Sequence, residues 1–132
     1  KPPYGRITAY DMNQGRRLWV VANGNGPRDH PALKGLKLPP LGTTGRPVPL
    51  LTKTLLFLGE SSDALYGKAG VDGPSTFRAY DKATGKVVWQ TGLPAGTTGG
   101  PVTYAVDGRQ FIVVPVGNKA VGGQWVALGI GE

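Results

Sequence analysis

Cysteine is absent from this 132-residue chain, which excludes disulfides, thiolate metal sites and a cysteine nucleophile. The absence fits either side of a membrane and leaves the redox compartment open. Long apolar runs are missing as well: the longest are four or five residues, against the roughly 20 that a membrane-spanning helix needs. No 3.6-residue apolar period appears, which argues against the crossover helices of a parallel α/β sheet. The start, Lys1-Pro2-Pro3-Tyr4, resembles neither a signal peptide nor a translation start, so the chain is expected to be processed or cut from something longer. Acidic residues are scarce, 8 against 15 Lys and Arg, and the net charge of +7 suits an anionic partner: a nucleic acid, an acidic lipid surface or a small polycarboxylate.

Glycine and proline are abundant, at 22 and 12 residues, near the level at which a non-periodic sequence looks disordered. Three Trp, five Tyr, three Phe and several unbroken Val/Leu/Ile runs supply apolar surface that a disordered chain lacks. The Gly and Pro fall between those runs, which is the punctuation of a β-protein with many turns.

The chain also matches itself at an offset of 70: Ala9-Tyr10-Asp11, Gly15 and Trp19 recur as Ala79-Tyr80-Asp81, Gly85 and Trp89. Each copy reads as a hairpin, with a strand ending at Ala-Tyr-Asp, a turn where glycine makes positive φ cheap, and a strand ending on Trp. Asp11 and Asp81 occupy the same point of that turn and are expected to cap it. A weaker third copy of the first strand is Trp125-Val126-Ala127-Leu128. Repeats of this length mark one supersecondary unit used several times. Between and after the copies lie strands 48–54 and 55–61, then 100–106 and 109–116 joined by Asp107-Gly108, a strong hairpin signal, and a last strand at 124–130.

Runs such as Leu55-Leu56-Phe57-Leu58 and Phe111-Ile112-Val113-Val114 do not alternate, so these strands are expected to bury both faces. Small sheets sandwiched between others, with short edges, describe a β-propeller. The expected architecture is all-β, a partial propeller of about two and a half four-stranded blades: residues 1–22 a half blade, 23–47 an irregular insertion, 48–92 a full blade, and 99–132 a last blade lacking its outer strand. Propellers commonly close by completing the last blade with an N-terminal strand, which would set Glu132 near the natural C-terminus, with several blades missing upstream.

The unit Ala-x-Asp-x-x-x-Gly-x-x-x-Trp resembles the tryptophan-docking motif of the eight-bladed quinoprotein dehydrogenases, the PQQ-dependent alcohol and membrane glucose dehydrogenases. Pro49-Leu50-Leu51-Thr52-Lys53, Phe77-Arg78-Ala79-Tyr80-Asp81, Leu93 to Tyr104 and Asp107 to Ile112 look like the closing blades of that family, so the resemblance covers nearly the whole chain. It implies that Trp19 and Trp89 lay their indoles against a neighbouring blade where Ala and Gly leave room, each ring N–H donating to a carbonyl. It also implies PQQ and Ca²⁺ in the parent protein, a carboxylate that takes the substrate hydroxyl proton, and a periplasmic location, with membrane association through a segment preceding Lys1. The family's Ca²⁺ ligands and catalytic Asp lie in earlier blades and have no counterpart here. The chain alone is therefore expected to bind neither group and to turn over no substrate.

Two stretches are candidates to line the quinone pocket. Arg46 and Pro47 open the full blade's inner strand, where Arg46 either meets a quinone carboxylate in bidentate fashion or is a solvated arginine of a Gly/Pro loop. Asn118 and Lys119 lie in a Gly-rich loop that family members bring over the cofactor, often with a Trp that this loop lacks. The only histidine, His30, adjoins Asp29 in the insertion; adjacent loop residues rarely face each other, so catalysis by His30 is disfavoured. Asp63 and Asp72 flank a Gly-rich stretch without the spacing of a calcium loop and read as solvated acids.

Three functions compete. The first is the C-terminal portion of a PQQ-dependent dehydrogenase that oxidises an aldose or alcohol and passes electrons to ubiquinone or a cytochrome. The second is a non-catalytic propeller scaffold binding protein partners at strand edges. The third, nucleic-acid binding, is set aside because the basic residues show no aromatic-plus-basic strand face. The half blade and the three-stranded last blade would expose edges and an apolar face, so the expected partners are the remaining blades or a second copy of the chain.

Overall fold

The structure, a computed structural model, describes residues 1–28, 30–61 and 75–129; Asp29, Asp63, Asp72 and Glu132 lie outside the described residues. Three antiparallel sheets account for the strands. The first pairs β1 (Arg6–Asp11) with β2 (Arg16–Ala22). The second runs in the order β3 (Leu50–Leu51), β4 (Leu55–Gly59), β5 (Ser75–Asp81) and β6 (Val87–Leu93). The third holds β7 (Val102–Val106), β8 (Arg109–Val116) and β9 (Gln124–Gly129). The architecture is all-β and is that of a partial propeller; among the described residues the one helical turn is a 3-10 segment at Pro31–Leu33.

The repeated hairpins have a common local cause. In the first, the Asp11 carboxylate accepts from the Asn13 and Gln14 N–H groups at 2.9 and 3.1 Å; in the second, Asp81 accepts from the Thr84 N–H and hydroxyl, both at 2.8 Å. Gly15 and Gly85 then take φ of 64° and 73°, which closes the turn at no Cβ cost. Both hairpins carry a register shift at the same place, between Ala9 and Tyr10 and between Ala79 and Tyr80. Asp107 and Gly108, at φ 49° and 74°, form the left-handed pair that suits a two-residue hairpin loop.

Alternation along β4 and β5 divides the core between two neighbours. Phe57, Phe77 and Ala79 face the third sheet and join Ile112, Val114 and Val116 of β8, with the Phe57 and Phe77 rings stacked 6.0 Å apart. Leu56, Leu58 and Tyr80 face the first sheet and meet Ile7 and Val21. Each such large side chain, taken from water to burial, contributes roughly 1.5–3 kcal/mol. The two-sided burial expected from Leu55 to Leu58 is therefore present.

Two expectations need correction. The strand expected over 48–54 contracts to Leu50–Leu51, because Pro47 and Pro49 have no N–H to give a ladder and Thr52 already turns the chain, its N–H and hydroxyl bonding the Leu55 carbonyl. Strand β8 buries one face rather than two: Ile112, Val114 and Val116 are covered, whereas Phe111, Val113 and Pro115 are only partly so. Among the described residues no sheet neighbours their face of the third sheet, and Val102, Tyr104 and Trp125 on it are exposed.

Candidate functional site: the loop-bearing end of the sheets

The two ends of the sheets differ in kind. Short turns between β1 and β2, β3 and β4, β5 and β6, and β7 and β8 gather at one end. The opposite end receives the long segments 23–49, 94–101 and 117–123, and it is where β4 stops and β5 starts. Positions on long connections carried by a rigid scaffold are where binding residues concentrate.

Close backbone layering, not chance loop folding, fixes this end. The 23–25 stretch pairs with 41–43: the N–H groups of Leu41, Gly42 and Thr43 donate to the carbonyls of Asn25, Gly24 and Asn23 at 2.9, 3.1 and 2.7 Å. Tyr4 N–H donates to Leu41 O, and Asn23 N–H to Gly5 O. A Cβ on Gly5 would lie 1.9 Å from Thr43 O and one on Gly42 2.0 Å from Gly5 O, so glycine is required at both. The insertion is thus pinned at its base, while its outer part, with Arg28, Lys34, Leu36 and Lys37, is exposed. On the other flank, the 96–98 segment knits the second sheet to the third. Thr97 N–H donates to Glu60 O at 2.8 Å, Thr98 N–H to Pro115 O at 3.0 Å and Gly117 N–H to Gly96 O at 3.1 Å.

Beneath these segments lies a buried polar network. Arg78 Nη1 donates to Glu60 Oε1 at 2.7 Å, with only 10% and 11% of the two side chains exposed. Tyr80 donates its hydroxyl to Asn23 Oδ1 at 3.1 Å, and Asn23 Nδ2 donates to Gly59 O at 3.0 Å. Ser75 Oγ donates to the Glu60 carbonyl at 3.1 Å. Burial pushes the Tyr80 phenol above its ordinary value, against the opposing pull of the Arg78 guanidinium. Among the described residues every buried side-chain N or O atom has a partner, as the cost of leaving one unpaired requires.

The candidate cofactor-lining residues all fall at this end. Arg46 is exposed and Pro47 half-buried on the approach to β3, where Val48 lies against Gly100. Asn118 and Lys119 sit on the neighbouring sheet, in the loop after β8; the Asn118 carboxamide oxygen accepts from the Ala120 and Val121 N–H groups at 2.9 and 2.8 Å. Asn118 therefore shapes its loop, and Lys119 is exposed beside it. His30 Nδ1 accepts from Ala32 N–H at 3.1 Å and starts the 3-10 turn. Among the described residues no three His, Asp or Glu side chains come together as a metal site would need.

Trp19, on the face of β2 turned to the second sheet, lies against Gly85, where a Cβ would be 2.7 Å from its ring, and its Nε1–H donates to Lys82 O at 3.0 Å. Trp89 lines an apolar groove of about 320 Å³ towards the third sheet with Ile112, Leu128 and Gly129, and stays 44% exposed.

Sequence reasoning passed over the Asn23, Glu60, Arg78 and Tyr80 network. The signal available was a charged residue between Phe77 and Ala79, at a position where the first hairpin copy has Thr8.

Comparison with known proteins agrees with the fold. Residues 1–112 match the PQQ family described as "Glucose/ethanol/alcohol dehydrogenase, beta-propeller domain". The chain is 36% identical over 123 residues to the glycerol dehydrogenase large subunit of Gluconobacter thailandicus, a match covering 89% of this chain and 15% of that protein. It is 37% identical over 117 residues to the quinoprotein glucose dehydrogenase of Gluconobacter oxydans (strain 621H), covering 88% and 14%. With the probable quinate dehydrogenase (quinone) of Xanthomonas campestris pv. juglandis it shares 34% over 121 residues, covering 88% and 14%. The chain thus spans about 15% of the length of these relatives. It belongs to the β-propeller domain family of the PQQ glucose/ethanol/alcohol dehydrogenases.

Proposed function

We propose that the chain forms part of a PQQ-dependent dehydrogenase that oxidises an aldose or alcohol in the periplasm and delivers electrons to ubiquinone or a cytochrome. The observation that carries this reading is the family match over residues 1–112, extended by similarity to quinoprotein relatives along 88–89% of the chain. PQQ, when bound, would supply the redox chemistry of this reaction, the acceptance of two electrons from the substrate.

The chemistry of the loop-bearing end suits a polycarboxylate. Arg28, Lys34, Lys37, Arg46 and Lys119 are all exposed on segments at this end, and the one carboxylate there among the described residues, Glu60, is already paired with Arg78. Such a field raises the local concentration of an anionic ligand. Arg46 and Lys119 are the residues we assign to the quinone carboxylates; Pro47 stiffens the approach of Arg46, and Asn118 holds the loop that carries Lys119. Calcium ligands and the proton-accepting carboxylate belong, on this reading, to blades outside the chain. Those blades also cover the apolar face of the third sheet.

Reconstitution of the longer protein with PQQ and Ca²⁺, followed by dye-linked oxidation of glucose, glycerol and ethanol, tests the proposal. Turnover should appear only with PQQ and be absent from the isolated chain. Arg46→Ala should raise the PQQ concentration for half-maximal activity about tenfold or more, the loss of one hydrogen bond to a charged group. A longer protein that takes up no PQQ would refute the reading.

A further inference from the structure

Two of the four asparagines precede glycine, in the run Asn23-Gly24-Asn25-Gly26. The fold requires both glycines. A Cβ on Gly24 would lie 2.5 Å from Glu60 Oε1 and Thr43 Oγ1, and one on Gly26 would lie 2.4 Å from Gly42 O. An asparagine carboxamide is most open to attack by the backbone nitrogen that follows it when that nitrogen belongs to glycine, because no Cβ shields it and the backbone turns freely into the reacting geometry. The layering that closes the loop-bearing end therefore sets two labile pairs side by side.

Their surroundings separate them. Asn23 is 3% exposed; its Nδ2 donates to Gly59 O at 3.0 Å and its Oδ1 accepts from the Tyr80 hydroxyl at 3.1 Å. With both ends of the carboxamide held, its carbon is kept from swinging onto the Gly24 nitrogen. Asn25 is exposed, and among the described residues neither its carboxamide nor the Gly26 N–H has a hydrogen-bond partner. Only its carbonyl is engaged, accepting from Leu41 N–H at 2.9 Å. Asn13 and Asn118 precede Gln14 and Lys119, whose nitrogens carry the bulk that glycine lacks.

We propose that Asn25 is a site of intramolecular deamidation, at which this chain modifies itself to isoaspartate and aspartate. The Gly26 nitrogen, losing its proton to solvent base, forms a bond to Asn25 Cγ, and the carboxamide nitrogen leaves as ammonia. Water then opens the cyclic imide. Breaking the bond to the original main-chain carbonyl gives isoaspartate, and breaking the bond to Cγ gives aspartate. Asparagine and water thus become acid and ammonia, with no oxidant or cofactor. Either product adds a negative charge to the basic, loop-bearing end. Isoaspartate also lengthens the main chain between residues 25 and 26, which moves Gly26 off its contact with Gly42. The reaction stands apart from the redox reading and does not depend on it.

The test is incubation of the complete 132-residue chain in mildly alkaline buffer made with H₂¹⁸O, folded and in urea, followed by mass spectrometry of tryptic peptide 18–28 with fragmentation that separates isoaspartate from aspartate. Label entering from the solvent marks conversion before digestion. In the folded chain it should appear at residue 25 in both isomers and build up about tenfold or more faster than at residue 23, the cost of opening two hydrogen bonds. In urea the two rates should converge. Asn25→Gln, an exposed change, should keep the melting temperature and leave residue 25 unlabelled over the same period. An Asn25 that stays an amide in the folded chain while the unfolded chain converts would overturn the proposal. So would equal rates at residues 23 and 25 in the folded chain, or aspartate without isoaspartate, which is direct hydrolysis.

Discussion

Removing the Glu60 carboxylate should destabilise the chain far more than removing both partners of its ion pair. The two groups meet at 2.7 Å with about a tenth of each side chain exposed, so neither can turn to water when the other is lost. Their attraction is on the order of 4 kcal/mol at an effective dielectric constant near 20, and the desolvation of two ions offsets much of it. Glu60→Leu leaves the Arg78 guanidinium buried without its counterion and should cost about 3–5 kcal/mol. The backbone carbonyl of residue 60, which accepts from Ser75 and Thr97, is untouched by this change, so the loss reports the side chain alone. Arg78→Met should cost a similar amount. The double variant, with apolar groups of comparable size in both places, should return to within roughly 1 kcal/mol of the parent or exceed it. Urea unfolding of the four proteins, with midpoints compared at a common slope, measures the cycle. A Glu60→Leu loss under about 1 kcal/mol would mean that water reaches the pair, and the reasoning would fail.

Gly59→Ala should lower stability by about 1–3 kcal/mol, because its Cβ would sit 2.3 Å from Thr97 Cγ2; Thr97→Ser in the same chain removes that methyl and should recover most of the loss in a thermal melt. If the serine gives no rescue, the contact is not the cause. Tyr80 has its folded-state value raised by burial, so its contribution is complete below the unfolded phenol value near 10 and is lost as pH rises through the folded one. Phenolate absorbance should therefore show one of the five tyrosines ionising late, together with unfolding, and Tyr80→Phe should remove that phase.

Turns were the most legible part of the sequence, because their chemistry is local. Asp11, Asp81, Gly15, Gly85 and Asp107-Gly108 act on atoms within three residues of themselves, and each does what its type dictates. Apolar runs gave the strands but not their coverage. Leu55 to Leu58 and Phe111 to Val114 look alike as strings, yet among the described residues the first run has a sheet on each side and the second has one, a difference that depends on neighbours rather than on composition. Polar burial was the least legible. Arg78 stands between Phe77 and Ala79 in a strand, and its partner Glu60 is 18 positions away, so only folding brings them together. The loop position of Asn118 is legible as a candidate contact, but the use of its side-chain oxygen to hold the Ala120 and Val121 N–H groups is seen only in the fold.

The contrast between the two ends of the sheets follows from where their polar groups are used. At the short-turn end the groups are largely satisfied within the chain: Asp11 and Asp81 hold their turns, Lys82 Nζ donates to Thr52 O at 2.9 Å, and the Trp19 indole is held by Lys82 O. Side chains engaged in this way fix the hairpins and the contact between the first two sheets. At the other end the 23–25 and 41–43 backbone pairing and the 96–98 segment rest on the buried Asn23, Glu60, Arg78 and Tyr80 network, and Lys34, Lys37 and Lys119 remain exposed above that frame. A frame held by main-chain hydrogen bonds and obligatory glycines allows its side chains to change without loss of fold.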